Sequence, residues 1–104
     1  MSEEEINNTL ARICRVLASI PSGHVVTYGD LAAMAGFPKG ARLAGQQLRK
    51  LPKDTKLPWH RVINAQGRLS LPEPRASYQR ELLQSEGVSF LKGRIDMAKY
   101  RWRP

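Results

Sequence analysis

Two short helical segments separated by a turn constrain the fold of this chain more than any other feature. The first opens at Thr27 or Tyr28, carries apolar residues at helical spacing and is closed by Gly36. The second covers about residues 41–51, is rich in arginine and small residues, and is stopped by Pro52. Two short helices joined by a brief glycine and proline turn predict a helix-turn-helix.

The flanking segments predict a small domain built around that pair. An amphipathic first helix is expected to begin with Ser2 and Glu5 as a capping box and to end near Ile20. The segment after the central motif contains two prolines, which argue against a central strand and favour a wing or surface loop. The remaining elements are expected as strands at residues 25–27, 62–64 and 88–91, the wing or loop at residues 69–74, and a helix at residues 76–86.

The charge balance of the chain favours a polyanionic partner. Its 104 residues carry a formal net charge of +8, and 41% of them are hydrophobic, which is ordinary for a globular domain. Such a basic excess is typical of nucleic-acid binding, although a solvated basic surface would give the same balance. We expect one domain over residues 1–104, of the mainly α or α+β class, with a winged helix-turn-helix architecture.

The cysteine and histidine content and the N-terminal residues argue against a disulfide-bonded, metal-binding, secreted or membrane protein. The single cysteine, Cys14, cannot form an internal disulfide, and with two histidines in the chain no Cys/His metal cluster or other cofactor is expected. Residues 1–5 include three glutamates and lack an apolar signal core, and no apolar run approaches the roughly 20 residues of a membrane span. We therefore expect a cytoplasmic, nucleoid-associated protein with no membrane partner.

The segment Pro-Trp-His-Arg-Val-Ile at residues 58–63 carries the most specific functional signal. It resembles the active-site motif of the O6-alkylguanine-DNA alkyltransferases, in which a cysteine follows the proline and takes the alkyl group from a damaged guanine. Here Trp59 stands in the place of that cysteine, and an indole ring offers no thiolate-like nucleophile. Further segments that match in order are residues 20–23, 26–32, 41–45 and 85–87.

With tryptophan at that position, a short chain and its ending at residues 100–104, the sequence resembles the alkyltransferase-like proteins. The resemblance covers about residues 6–88 and implies a protein that is not an enzyme and has no catalytic residue. It implies binding to O6-alkylguanine in duplex DNA, with the helix-turn-helix in the minor groove, flipping of the base and bending of the duplex. It also implies transfer of the site to nucleotide excision repair proteins. We expect a monomer, because no dimerisation helix is recognisable.

The central motif is expected to line a pocket for the damaged base. Trp59 would form a wall of that pocket, because its flat ring offers apolar area to an alkyl group. In the alkyltransferases a histidine and a glutamate at the places of His60 and Glu86 activate the cysteine through a water molecule. Without that cysteine we expect both to be retained for structure, because unpaired buried polar groups are costly.

Two details of the pocket stay open on the sequence. Some relatives sense the base with an arginine in the loop after the motif, but that place falls near Pro72, so Arg75 or Arg68 would have to supply the contact. Trp102 either covers the pocket or packs on the first helix. The residues expected to form the lesion pocket are Tyr28, Trp59, His60, Arg61, Val62, Arg75, Glu86 and Trp102.

The second helix of the pair is expected to face the DNA. The resemblance makes Arg42 the arginine that enters the base stack, since a planar guanidinium can fill the gap left by a flipped base; a phosphate contact is the alternative. Tyr28 would contact the phosphate beside the target nucleotide, or else pack at the helix start. The residues expected to bind DNA are Thr27, Tyr28, Lys39, Ala41, Arg42, Gly45, Arg49 and Lys50.

Two other functions compete with lesion sensing. An active alkyltransferase would need another nucleophile, and Cys14 lies on the apolar side of a helix far from the motif. A winged helix-turn-helix transcription regulator, or a general DNA binder, would show no preference for the lesion. The regulator would instead prefer one undamaged sequence.

Overall fold

Helices dominate the fold, with a small parallel sheet behind the helix-turn-helix. The computed structural model describes the backbone of residues 3–104 and the side chains of residues 8–104. No helix in that part of the chain is long and apolar enough to cross a membrane. The elements, in chain order, are helix α1 (Glu3–Ser19), strand β1 (Val26–Thr27), helices α2 (Tyr28–Met34) and α3 (Ala41–Leu48), a 3₁₀ turn (Trp59–Arg61), strand β2 (Val62–Ile63), helix α4 (Arg75–Ser85), strands β3 (Phe90–Leu91) and β4 (Arg94–Ile95), and helix α5 (Met97–Tyr100).

Helix α1 packs its apolar side on the helix-turn-helix. Ile13 and Leu17, four residues apart and therefore on one face of the helix, are fully buried. They share a core with residues of α2 and α3, among them Leu31 and Ala44. The predicted capping box of α1 depends on Ser2, which lies outside the described residues.

A capping box fixes the start of α2. The backbone N–H of Asp30 donates to Thr27 Oγ1 at 3.0 Å, and the backbone N–H of Thr27 donates to Asp30 Oδ2 at 3.1 Å. Thr27, one of the two residues expected to open this helix, is therefore its N-cap. Gly36 follows the helix with a φ of +94°, a conformation that side chains rarely adopt, so the turn requires glycine there.

Helix α3 is three residues shorter than the sequence predicts. It ends at Leu48, and the N–H groups of Lys50 and Leu51 bond to carbonyls three residues earlier. The tighter turn ends the helix before Pro52, because the residue before a proline avoids the helical conformation. Ala44 is the small residue that lies fully buried on the inner side of α3.

Strands β1 and β2 pair in parallel and set the geometry of the site. Val26 is paired with Val62 and Thr27 with Ile63, and all four side chains are buried. Parallel strands need a crossover connection, which here contains α2 and α3. The segments that follow the two strands therefore leave the sheet at the same edge.

The C-terminal third differs most from the prediction. Residues 69–74 form a loop, which is one of the two expected alternatives, whereas the hairpin is built by β3 and β4. The expected last strand at residues 88–91 is reduced to its final two residues. Residues 97–100 form α5, capped by the Asp96 side chain, where the sequence suggested only a basic and aromatic tail. The expected helix at residues 76–86 is α4, shifted by one residue.

Candidate nucleic-acid interface

A cavity of about 880 Å³ opens between the helix-turn-helix and the loop before α4. Tyr28, the first residue of α2, and Asn64, the first residue after β2, both line it, because parallel strands end at the same edge of the sheet. Four lining residues carry a positive charge and none carries a carboxylate, so the cavity attracts anions. These cations are Arg42, Arg49, Lys53 and Arg75.

Helix α3 presents cationic and small side chains to this cavity. Arg42 and Arg49 line it and are exposed. Ala41 and Gly45 also line it, and a Cβ on Gly45 would be 3.9 Å from ring carbon Cδ1 of Tyr28. Because the side chains are small at these two positions, a second backbone can approach the helix closely there.

The 3₁₀ turn holds Trp59 at the far side of the cavity. The guanidinium carbon of Arg75 lies 3.8 Å from the centroid of the indole ring, which is a cation–π contact. The ring of Tyr78 lies 6.0 Å away and is tilted, while His60 meets the indole edge to face. Trp59 belongs to neither apolar core cluster of the described residues. It is a cavity wall and not a core tryptophan.

Glu86 gathers the polar side chains of the motif behind that wall. His60 Nε2 lies 2.7 Å from Glu86 Oε2, and Arg61 donates to the same carboxylate through Nε and Nη2. The N–H of Gly23 donates to Glu86 Oε1 at 3.1 Å. Arg61 also donates through Nη1 to the carbonyl of Ile20 at 2.7 Å. The cluster therefore joins the 3₁₀ turn, the end of α4 and the turn after α1.

This cluster keeps Glu86 ionised. Burial alone would raise the pKa of the carboxyl, but hydrogen bonds from Arg61, His60 and the Gly23 N–H outweigh it and lower the pKa to about 2. The carboxylate is therefore charged throughout the neutral range. It neutralises part of the charge of Arg61, whose side chain is only 17% exposed.

Gln79 holds the backbone of the motif in place, and sequence reasoning missed it. Its side-chain amide is 1% exposed and donates from Nε2 to the carbonyls of His60 and Val62, at 3.1 and 2.9 Å. The signal that could have found it is a polar residue four positions before the fully buried Leu83 of α4. A polar group on the inner side of a helix needs backbone partners.

The two arginines proposed to sense the base occupy different places. Arg75 lines the cavity, whereas a guanidinium nitrogen of Arg68 lies 3.8 Å from where a Cβ on Gly93 would stand, beside the β3–β4 hairpin. Pro72 lines the cavity where the resemblance placed the sensing arginine. Of the two candidates, Arg75 is therefore the one that contacts Trp59 at the cavity.

The structure divides the expected pocket residues into three groups. Tyr28, Trp59 and Arg75 line the cavity. Val62 is buried in the apolar core, and Trp102 packs against the core cluster that includes α1 residues. The other expected pocket residues, which form the polar cluster behind the cavity and do not line it, are His60, Arg61 and Glu86.

The expected DNA-binding residues mostly share the cavity face. Lys39 and Lys50 are exposed but lie outside the cavity lining. The hydroxyl of Thr27 also accepts the capping bond of α2. Cavity-lining residues that the sequence did not suggest include Gln46, Asn64, Ser70 and Leu71. The expected DNA-binding residues that line the cavity are Thr27, Tyr28, Ala41, Arg42, Gly45 and Arg49.

The thiol of Cys14 lies on α1, away from the cavity lining, and burial raises its pKa. A raised pKa leaves less thiolate at neutral pH, so this cysteine is a poor nucleophile. Among the described residues no group of three or more His, Cys, Asp or Glu side chains is placed to hold a metal ion.

Comparison with known proteins identifies the domain to which this geometry belongs. The family model of the 6-O-methylguanine DNA methyltransferase DNA-binding domain matches residues 8–88. The "DNA base-flipping protein" of Escherichia coli K12 is 47% identical over 92 residues, which cover 88% of this chain and 71% of that protein. "Alkyltransferase-like protein 1" of Schizosaccharomyces pombe is 35% identical over 100 residues, covering 89% of this chain and 93% of that one. The crystal structure of S. pombe Atl1 with damaged DNA containing O6-carboxymethylguanine superposes with a TM-score of 0.86, at 32% identity and over 100% of both chains.

Proposed function

Because the chain belongs to the family of the 6-O-methylguanine DNA methyltransferase DNA-binding domain, we propose that it is a non-enzymatic sensor of alkylated guanine. It binds O6-alkylguanine in duplex DNA, flips the damaged base into the cavity beside Trp59, and directs the lesion to nucleotide excision repair. Its relatives named for base flipping and for likeness to alkyltransferases support this assignment.

One observation carries the proposal: a tryptophan stands where the alkyltransferases have their cysteine, and its ring faces a cationic cavity. The indole cannot accept an alkyl group, but its face can stack on a flat base. Arg42 and Arg49 on α3 give the same cavity its attraction for phosphates. The nucleophile for alkyl transfer is lost at this position, while the capacity to bind a damaged nucleotide is kept.

In this proposal α3 enters the minor groove of the DNA. Ala41 and Gly45 leave room for the sugar-phosphate walls, and Arg42 fills the gap in the base stack left by the flipped nucleotide. Tyr28 donates its hydroxyl to the phosphate beside that nucleotide. All four residues line the cavity, which supports a common role.

Arg75 contacts the flipped base in this proposal. Its guanidinium already lies on Trp59, and no ion pair is found for it among the described residues. A planar cation in this place can stack on the base or donate to its N7 and O6 region. The contact would favour guanines whose O6 substituent leaves those acceptors accessible.

A sensor of this kind leaves the lesion in the DNA, so removal falls to other proteins. Nucleotide excision repair is the partner class that fits, because it acts on bulky and distorted sites and needs only that the site be marked. We place the protein in the cytoplasm, on the nucleoid, acting as a monomer on one lesion.

The test is equilibrium binding to a short duplex with one O6-methylguanine, compared with the same duplex containing guanine, at two salt concentrations. The proposal requires a preference for the lesion that survives the higher salt concentration. Equal binding that collapses with salt would reduce the protein to a general binder of phosphate, because only counterion release would then drive association. Preference for one undamaged sequence would instead indicate a transcription regulator.

A further inference from the structure

Residues 100–102 form a bridge to Val25, the residue directly before β1, and we call them the C-terminal strap. The N–H of Val25 donates to the carbonyl of Tyr100 at 2.9 Å, and the N–H of Trp102 donates to the carbonyl of Val25 at 2.8 Å. Val25 and Arg101 thus form a parallel bridge directly before the residues that pair with β2. The strap is joined to the strand that leads into α2.

Arg101 then reaches from the strap to the first turn of α2. Its Nε donates to Asp30 Oδ2 at 2.9 Å, and its Nη2 donates to Asp30 Oδ1, so the contact is two-pronged. The side chains of Arg101 and Asp30 are 33% and 17% exposed. Asp30 Oδ2 also accepts the N–H of Thr27. One carboxylate therefore serves the strap and the capping box together.

The group placed by this arrangement is Tyr28. It lies between Thr27 and Asp30 in the sequence, opens α2 and lines the cationic cavity. A capping carboxylate alone can rotate about its side-chain bonds, but a planar guanidinium that holds both oxygens fixes its orientation. The capping box and the contact with Arg101 then both fix the direction in which α2 leaves the sheet.

We propose that Arg101 is a positioning residue for DNA binding: through Asp30 it fixes the first turn of α2 and so the place of Tyr28 in the cavity. The family model ends at residue 88, so Arg101 lies beyond the segment that it describes. The effect on DNA rests on the proposed function, whereas the effect on α2 does not.

The experiment compares Arg101→Gln, Asp30→Asn and the double variant, with Arg103→Gln as the matched control. Arg103 is an exposed arginine two residues further on, so its variant loses the same charge without touching Asp30. All are assayed below their unfolding transitions. Binding is measured to an O6-methylguanine duplex with 2-aminopurine beside the lesion, whose fluorescence rises when the neighbouring base leaves the stack.

We expect Arg101→Gln to lower the affinity for the lesion duplex about fivefold more than Arg103→Gln does, and to reduce the fluorescence rise. The Arg101 change should matter little once Asp30→Asn is present, because the two residues act as one unit. Arg101→Lys, which keeps the charge but not the two-pronged contact, should recover part of the loss. Equal effects of Arg101→Gln and Arg103→Gln would overturn the inference.

A second readout separates this inference from the proposed function. Amide hydrogen exchange at Thr27 and Asp30 reports the first turn of α2 without any DNA. Arg101→Gln should speed that exchange about tenfold relative to Arg103→Gln. Unchanged exchange would overturn the positioning role even if the protein binds lesions. Faster exchange in a protein without lesion preference would support the positioning of α2 and contradict only the proposed function.

Discussion

The guanidinium of Arg75 covers the face of Trp59, with its central carbon 3.8 Å from the ring centroid. The most polarisable surface of the cavity is thus already occupied by a flat cation. A flipped base that stacks on Trp59 has to displace this guanidinium or lie beside it. The proposed contact with the flipped base therefore falls to Arg75 in either case.

Replacing Arg75 should therefore weaken the discrimination between damaged and normal guanine. We expect Arg75→Ala to reduce the lesion preference by about 1 kcal/mol, the size of a cation–π contact at a partly exposed site. Fluorescence anisotropy of labelled O6-methylguanine and guanine duplexes measures both affinities. Arg68→Ala is the control, because Arg68 lies at the hairpin. An equal loss of preference in both variants would remove Arg75 from the base contact.

Arg42 should contribute to lesion binding beyond its charge. Arg42→Ala removes the group that compensates for the vacated stack, which should cost about 1–3 kcal/mol on the lesion duplex. Lys50→Ala is the comparison, because Lys50 is exposed outside the cavity and would weaken damaged and undamaged duplexes alike. If Arg42→Ala behaves like Lys50→Ala across both duplexes and several salt concentrations, Arg42 is only a phosphate contact.

A thiol at the position of Trp59 should not restore efficient alkyl transfer. Trp59→Cys keeps His60 and Glu86 but removes the wall against which the base is held, so the reacting atoms lose the alignment that the attack needs. Intact-protein mass spectrometry after incubation with methylated duplex should show no methyl adduct. Combining the change with Cys14→Ser ensures that any adduct belongs to the new thiol. A stoichiometric adduct would contradict the expectation.

The pH dependence of stability should report the Glu86 cluster. Its carboxyl has an ordinary pKa of 4.5, which the folded protein lowers to about 2. The stabilisation is therefore complete above the ordinary value and is lost as the pH falls from there through the folded value. Urea unfolding at a series of pH values should show this loss, and Glu86→Gln should flatten it. A wild-type profile that matches that of Glu86→Gln would show that the cluster contributes nothing.

At neutral pH, Glu86→Gln should also destabilise the fold by about 2 kcal/mol, because Arg61 then keeps a charge without a counter-charge. The structural cost and the DNA affinity can be separated here. Glu86 lies behind the cavity wall, so lesion affinity should change far less than stability.

The helix-turn-helix could be read from local signals alone. Thr27 caps α2, Gly36 takes a left-handed conformation after it, and Pro52 limits α3, each through its own side chain or ring. The site needed more than local signals. Trp59 could be assigned to the cavity only through the family motif, since an isolated tryptophan is more often part of a core.

The elements that sequence reasoning missed depend on partners far along the chain. Asp96 is a helix cap by type, but α5 is only four residues long, too short for a periodic pattern to be recognised. The hydrogen bonds of Gln79 and the contact of Arg101 with Asp30 form only after the chain has folded back on itself. Propensity and spacing do not report such contacts, because tertiary packing decides them.

The pairing of Val25 with Arg101 also sets an order of events during synthesis. Helices α1, α2 and α3 can form from local contacts as soon as they leave the ribosome, but the strand that leads into α2 gains its outer neighbour only after residue 102 has emerged. A nascent chain would thus carry helix α3 before the position of Tyr28 is fixed. In the proposed function, the capacity to bind a flipped nucleotide would therefore depend on the C-terminal strap as well as on the helix-turn-helix.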